Sequence, residues 1–278
     1  MENHRRSLVA ALAACLALLP ACGPMQDSDT PLEPTPLGAR LAANVIDLTY
    51  AFGDETIYWP TGEGFSRTAT SEGTTPQGYF YAAGEFSSAE HGGTHLDAPF
   101  HFSSDGWTVD AIPPDRLIGS AVVIDVTAQA GADPDYRITP EDIQQWEAEH
   151  TPLPDDVIVL LRTGWGRYWP NREQYLGTSK TGPEAVRELH FPGLDPEAAQ
   201  WIVGNRNVKA IGIDTPSIDY GQSQDFRTHQ ILAADNIPVF ENVANLDQLP
   251  VEGATVIALP MKIEGGSGGP LRIVGIAP

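Results

Sequence analysis

Short apolar runs recur along the chain and are separated by stretches whose apolar positions fall three and four apart. Val45-Ile46-Asp47-Leu48-Thr49 is β-branched, bounded by polar residues, and predicts a first strand. Ala121–Val126 and Asp156–Leu161 are almost unbroken apolar runs, the pattern of strands buried on both faces. Asn207–Asp214 predicts another strand, ending in a carboxylate. Ile237–Glu241, Ala254–Leu259 and Leu271–Ile276 predict three more, and Pro238 is tolerable near a strand start. Gly78–Ser87 reads as a strand leading into the residues that follow it, whereas the Gly/Thr/Ser-rich stretch up to Gln77 reads as loop. Gly265–Pro270 predicts a loop between the last two strands.

Helix signals lie between these runs. Thr139 precedes Pro140, Glu141 and Asp142, giving an N-cap, a proline at the first helical position and acidic residues in the first turn. That helix should reach about His150. Asp195-Pro196-Glu197 opens another, to about Val203. Between Asp225 and Asn236, Phe226, His229, Ile231 and Leu232 can share one helical face. Strands interleaved with helices and no internal linker after residue 43 predict a single α/β domain over 44–278.

The N-terminal region has a different texture. His4, Arg5 and Arg6 precede an apolar run from Leu8 to Leu19 that is short for a membrane span and closes in Leu19-Pro20-Ala21-Cys22. This predicts a signal peptide over residues 1–21, with lipid attached to Cys22; cleavage as an ordinary signal nearby is the rival reading. Residues 22–43, rich in Pro, Thr, Asp and Glu, predict a flexible tether. Glycine after Cys22 favours the outer membrane of a bacterial envelope, on the periplasmic side. The two cysteines of the chain are Cys15 and Cys22, so the mature protein would have no internal disulfide. A formal charge of −21, with no basic run, argues against nucleic acid and against an anionic membrane surface, leaving the lipid as the only membrane contact.

Three of the seven histidines fall in His91-Gly92-Gly93-Thr94-His95-Leu96-Asp97-Ala98-Pro99-Phe100-His101. Imidazoles with a carboxylate suit zinc and its first-row neighbours. In extended backbone His95 and Asp97 point to the same side, and a turn at the glycine pair can fold His91 back onto them. His101 reads as a fourth ligand or a proton carrier. His229 and Glu241 are bland by themselves, although Val239-Phe240 should draw Glu241 inward, where a carboxylate needs a cation or donors. Arg162 reads as locally paired or as a holder of a substrate carboxylate.

From about Asn44 onward the chain resembles the cyclase family of metal-dependent hydrolases, which includes kynurenine formamidases and isatin hydrolases. The resemblance rests on the eleven-residue histidine motif and on Asp214, Ser217, Asp219, His229 and Glu241-Asn242 downstream. Asp47-Leu48-Thr49 and Arg162-Thr163-Gly164-Trp165 also look like family features. It implies a swivelling β/β/α-type fold with a mixed central sheet, usually as a homodimer or higher homo-oligomer. It implies that His91, His95 and Asp97 ligate one metal, and that Asp97 bridges to a second completed by His229 and Glu241. His101 then matches a catalytic histidine, and Tyr58-Trp59 an aromatic wall for the substrate. Ser217 and Asp219 should brace the loop of the second metal.

The activity so implied is hydrolysis of an amide C–N bond in a small molecule, such as an N-formyl arylamine or a cyclic amide. One or two divalent ions, zinc or manganese, would acidify a bound water, and His101 would carry the proton as general acid and base. A lactone or ester hydrolase using the same site, or a non-catalytic extracytoplasmic protein that uses the metal to capture a small molecule, are the alternatives. Specificity is expected in the loops Thr56–Ser66 and Tyr168–Lys180.

Overall fold

Strand alternation builds the centre of the molecule, a computed structural model whose described residues are 44–278. The expected signal, Cys22 and the tether lie outside the described residues. In chain order the strands are β1 (Val45–Asp47), β2 (Ser66–Thr74), β3 (Phe80–Ser87), β4 (His95–Asp97), β5 (Ile118–Asp125) and β6 (Arg137–Ile138). They continue with β7 (Val157–Arg162), β8 (Gly193–Leu194), β9 (Val208–Ile213), β10 (Val239–Glu241), β11 (Ala254–Pro260) and β12 (Gly268–Ile276). The helices are α1 (Thr127–Ala132), α2 (Pro140–Glu149), α3 (Arg172–Leu176), α4 (Pro196–Asn205) and α5 (Arg227–Ala234).

The main sheet runs β12-β11-β5-β7-β9-β10-β4, and β4 pairs back onto β12, closing a mixed barrel. β5, β7, β9 and β10 are mutually parallel, and the remaining pairings are antiparallel. β1 adds to the other edge of β12 beyond β4. The mixed-sheet α/β fold expected from the sequence is thus the one observed.

Closure explains the unbroken apolar runs. Ala121 and Val123 of β5, and Ile158 and Leu160 of β7, point into the barrel beside Leu96, Phe240 and Ile273. Their neighbours Val122, Ile124, Val159 and Leu161 point outward, under Ile143 and Trp146 of α2, Ala198 and Ile202 of α4 and Leu232 of α5. Both faces of these strands are therefore dry. The caps hold as expected: Thr139 and Asp142 form a reciprocal capping box, and the Asp195 carboxylate accepts from the Glu197 N–H.

Some expectations need correction. Ser66–Thr74, expected as loop, is β2, paired along its length with β3. This ribbon pairs with no other described strand, and β3 runs, as expected, along the chain into the histidine motif. The first three residues of β12 lie in the expected glycine loop, where they pair with β4. The helix expected from Asp225 starts only at Arg227, because Phe226 adopts the left-handed conformation, with φ at 51°.

Candidate metal centre and substrate cavity

The barrel places the ligand candidates by simple alternation. On β4, Leu96 points into the barrel, so His95 and Asp97 share the outer face. β10 lies beside it with Glu241 opposite His95, so Glu241 shares that face. α5 then lays His229 over the three. All four residues are buried.

The atoms converge closely. His95 Nε2 lies 3.1 Å from Asp97 Oδ1 and 3.5 Å from Glu241 Oε2. His229 Nε2 lies 3.0 Å from Asp97 Oδ2 and 3.2 Å from Glu241 Oε1. His91 Nδ1 approaches Asp97 Oδ1 to 2.6 Å. Asp97 thus meets the rings of His91, His95 and His229. Potential ligand atoms fall into two overlapping groups: His95, Asp97 and Glu241, and His91, Asp97 and His101.

What the histidines do with their other ring nitrogens tests whether a cation belongs here. His95 Nδ1 donates to the Gly93 carbonyl at 2.9 Å. His229 Nδ1 lies 2.6 Å from Asp219 Oδ2, and Asp219 also accepts the N–H groups of Thr228 and His229. With those N–H groups committed, each Nε2 points a lone pair at carboxylate oxygens unless a cation lies between them. Protonation alone would leave a strongly shifted cluster. Burial disfavours the charge on His95, yet Asp97 and Glu241 hold its pKa up, to about 9. Burial likewise opposes the charged His229, which Asp219, Asp97 and Glu241 nevertheless keep well above the ordinary value. Burial and the neighbouring Asp97 charge push Glu241 up, while the histidines beside Asp97 hold that carboxyl well below its usual range despite burial. The donor set fits a divalent ion of the zinc or manganese type.

His101 occupies a different position. Its ring stacks on that of His91, with centroids 3.8 Å apart and planes 20° apart. Burial pulls its pKa down to about 4 against the opposing influence of Asp97. Its ring nitrogens accept and donate no hydrogen bond among the described residues, so they are available to a substrate or a water.

A cavity of about 350 Å³ opens over this cluster, a volume suited to a small molecule. Tyr58 and Trp59 line it, as expected, together with Ile57, Phe102 and Phe226. Trp59, Phe102 and Phe226 form a tilted aromatic group, with centroid separations of 5.7 Å for Phe102–Phe226 and 6.0 Å for Trp59–Phe226. Gly92 lets this wall dock on the histidine motif. It bridges to Tyr58 at a φ of 152°, and a Cβ there would fall 2.1 Å from the Tyr58 ring.

Several expectations sort themselves out here. Asp219 does brace His229, while Ser217 lines the cavity. The Thr56–Ser66 loop contributes directly through Ile57–Gly62. The Tyr168–Lys180 loop does not line the cavity: Tyr168, Trp169, Tyr175 and Leu176 pack in a satellite core. From there Arg172 Nη1 donates to the Tyr58 carbonyl at 3.1 Å and holds the wall from behind. Arg162 pairs with Asp125 at 2.7 Å and lines a separate cavity, so it is not placed to hold a carboxylate of a substrate at the histidine cluster. Trp107, Trp165 and Trp169 pack against the core clusters, and His150 and His190 lie at the surface. Phe102 and Phe226 went unrecognised as cavity residues, although Phe102 directly follows His101 and was legible from that adjacency.

The chain is similar to several known proteins. A family model described as "Putative cyclase" matches residues 46–220. The chain is 33% identical over 260 residues to an isatin hydrolase of Roseibium aggregatum, a match covering 87% of this chain and 96% of that protein. It is 28% identical over 233 residues to a kynurenine formamidase of Bacillus cytotoxicus, covering 84% and 97%. The solved structure of isatin hydrolase A from Ralstonia solanacearum superposes with a TM-score of 0.77 at 33% identity, covering 90% of this chain and all of that one, 100%.

Proposed function

This chain belongs to the cyclase family of hydrolases, and from that premise we propose that it is a metal-dependent enzyme cleaving the C–N bond of a small aryl amide. The observation that carries the proposal is the convergence of imidazole nitrogens of His91, His95 and His229 on the buried carboxylates Asp97 and Glu241, a donor set that suits a divalent ion. His91, His95 and Asp97 would hold one ion, and His229 and Glu241 a second that shares Asp97. A divalent ion bound there supplies Lewis acidity, polarising a carbonyl and acidifying water.

The chain's own groups account for the rest. Trp59, Phe102 and Phe226 present a planar ring with apolar faces and exclude water from one side of it. His101, neutral because it is buried, can accept a proton from the attacking water and return it to the leaving nitrogen. Its stacking on His91 fixes the ring while leaving both nitrogens free for that transfer.

Charge narrows the substrate. Among the described residues no Lys or Arg lines the cavity, so an α-carboxylate such as kynurenine derivatives carry would find no lysine or arginine partner beside the proposed ions. A neutral cyclic aryl amide of the isatin type fits better, in keeping with the relatives named isatin hydrolase. A lactone or ester of similar shape would meet the same groups. Purified protein assayed with isatin, formanilide and an aryl lactone should turn over isatin most efficiently. Stoichiometric metal and tight ligand binding with no turnover of any of the three would make the protein a binding module instead.

We also propose export and anchoring through a lipidated Cys22, supported by the Leu19–Cys22 sequence. Palmitate labelling lost in Cys22→Ala is the test. A homo-oligomer is proposed on the exposed aromatic side chains of the β2–β3 ribbon, Tyr79, Phe80, Tyr81 and Phe86, and light scattering on the purified protein tests it.

A further inference from the structure

The glycine-rich segment before and within β12 has no part in the function described so far. Yet Ser267 sits inside it, against the least buried of the metal-ligand candidates, His91. The Ser267 hydroxyl lies 2.8 Å from His91 Nε2. Its other neighbour is Glu90, whose Oε2 receives both the Ser267 N–H at 2.9 Å and the Ser267 hydroxyl at 2.6 Å.

Proton counting sets the direction of this chain. A serine hydroxyl has one proton and a carboxylate oxygen only accepts. With that proton directed to Glu90, the Ser267 oxygen offers only a lone pair to His91. With an ion bound, Nε2 of His91 would be the protonated nitrogen, and Nδ1, which lies 2.6 Å from Asp97 Oδ1, would be free to ligate beside that carboxylate. His91 thus obeys the same logic as His95 and His229 but through a different device. Those two donate directly to a backbone carbonyl and to a carboxylate; His91 donates through a hydroxyl to a carboxylate one residue before it.

The local backbone is shaped for this contact. A Cβ on Gly268 would fall 2.6 Å from His91 Cε1 and 2.6 Å from the Leu96 carbonyl oxygen, so any side chain there would displace the imidazole. A Cβ on Gly266 would come within 3.2 Å of Glu90 Oε1. The Ala98 N–H donates to the Ser267 carbonyl at 2.9 Å, which ties the segment to the end of β4. Both glycines leave room for groups of the relay.

We propose that Glu90 and Ser267 form a positioning relay that holds His91 with Nδ1 directed at the metal centre, and that the glycine segment exists to bring Ser267 there. This rests on the metal-site reading given above. Second contacts of this kind typically change metal affinity by about 10–100-fold.

The test is zinc affinity of the full chain after metal removal, measured by chelator competition, with thermal stability of the metal-free protein as a control. Ser267→Ala and Glu90→Ala should each weaken zinc binding by about 10–100-fold, while metal-free melting changes little. Glu90→Gln should keep affinity within a few-fold of wild type, because its amide oxygen can still accept both Ser267 donors. In the zinc-loaded protein, the His91 Nε2–H resonance should be protected from solvent exchange in wild type and Glu90→Gln, and lost in Ser267→Ala. Wild-type protein that binds no zinc would overturn the metal reading and this inference with it. Tight wild-type binding, with both alanine variants equally tight and the His91 N–H still protected, would overturn the relay alone.

Discussion

Among the described residues, two cavities of similar size differ sharply in their chemistry. The cavity over His95 and Asp97 measures about 350 Å³, and the one beside Asp214 and Arg162 about 430 Å³. The larger also contains charged groups, of which Arg162 and Asp214 are answered locally. Arg162 meets Asp125, and buried Asp214 accepts from Thr163 N, Thr163 Oγ1 and Gly164 N at 2.6–2.9 Å. In the smaller cavity two buried carboxylates, Asp97 and Glu241, share a cluster of imidazoles. Volume does not distinguish the two cavities; the kind of partner the carboxylates meet does.

The sharpest way to break this comparison is Asp97→Ala. Removing the shared carboxylate should abolish metal retention, read by elemental analysis, and lower activity by more than the about 10²–10⁴-fold that a proton-transfer group contributes. His101→Ala comes next. It should lose about 10²–10⁴-fold in kcat while metal content stays close to wild type; loss of metal would make His101 a ligand, as its grouping with His91 and Asp97 allows. Asp219→Asn should weaken metal binding by about 10–100-fold, since it disturbs only the hydrogen bond behind His229. At the other cavity, Asp214→Asn should leave metal affinity within about twofold but destabilise the fold by about 1–3 kcal/mol, because an amide nitrogen would face buried donors. A large fall in metal affinity there would mean that the two cavities are coupled.

The smallest effect belongs to a charge pair outside both cavities. Arg206 holds Glu147 through two guanidinium hydrogen bonds, and the pair keeps the Glu147 pKa below its usual value. A carboxyl lowered by folding adds stability above its unfolded pKa and loses it as pH falls through the folded one. Arg206→Ala should therefore cost about 1 kcal/mol at neutral pH, and the gap in chemical denaturation should close in acid.

Legibility differed from element to element for physical reasons. β5 and β7 were readable because closure of the barrel buries both their faces, and unbroken apolar runs follow from that. α2 and α4 were readable because their caps are local hydrogen bonds between residues two or three apart. β2 was not, since its polar residues are held mainly by pairing with β3 and carry no periodic apolar signal. At the site, His95 and Asp97 were legible as a pair from strand alternation alone. His229 and Glu241 were bland until family resemblance linked them to the motif. Ser267 and Glu90 carried no local signal, because 177 residues separate them.

By itself the sequence determined the strands buried on both faces and the capped helices, and which residue types could hold a metal. Those properties depend on neighbours a few positions away, through alternation, capping and the choice of side-chain donors. The tertiary structure decided which of those donors meet. Pairing of β4 with β10 put Glu241 opposite His95, α5 delivered His229, and β12 brought Ser267 to His91. It also decided that Asp214 meets backbone and hydroxyl donors whereas Asp97 meets three imidazoles, because those partners depend on three-dimensional neighbours that chain order does not specify.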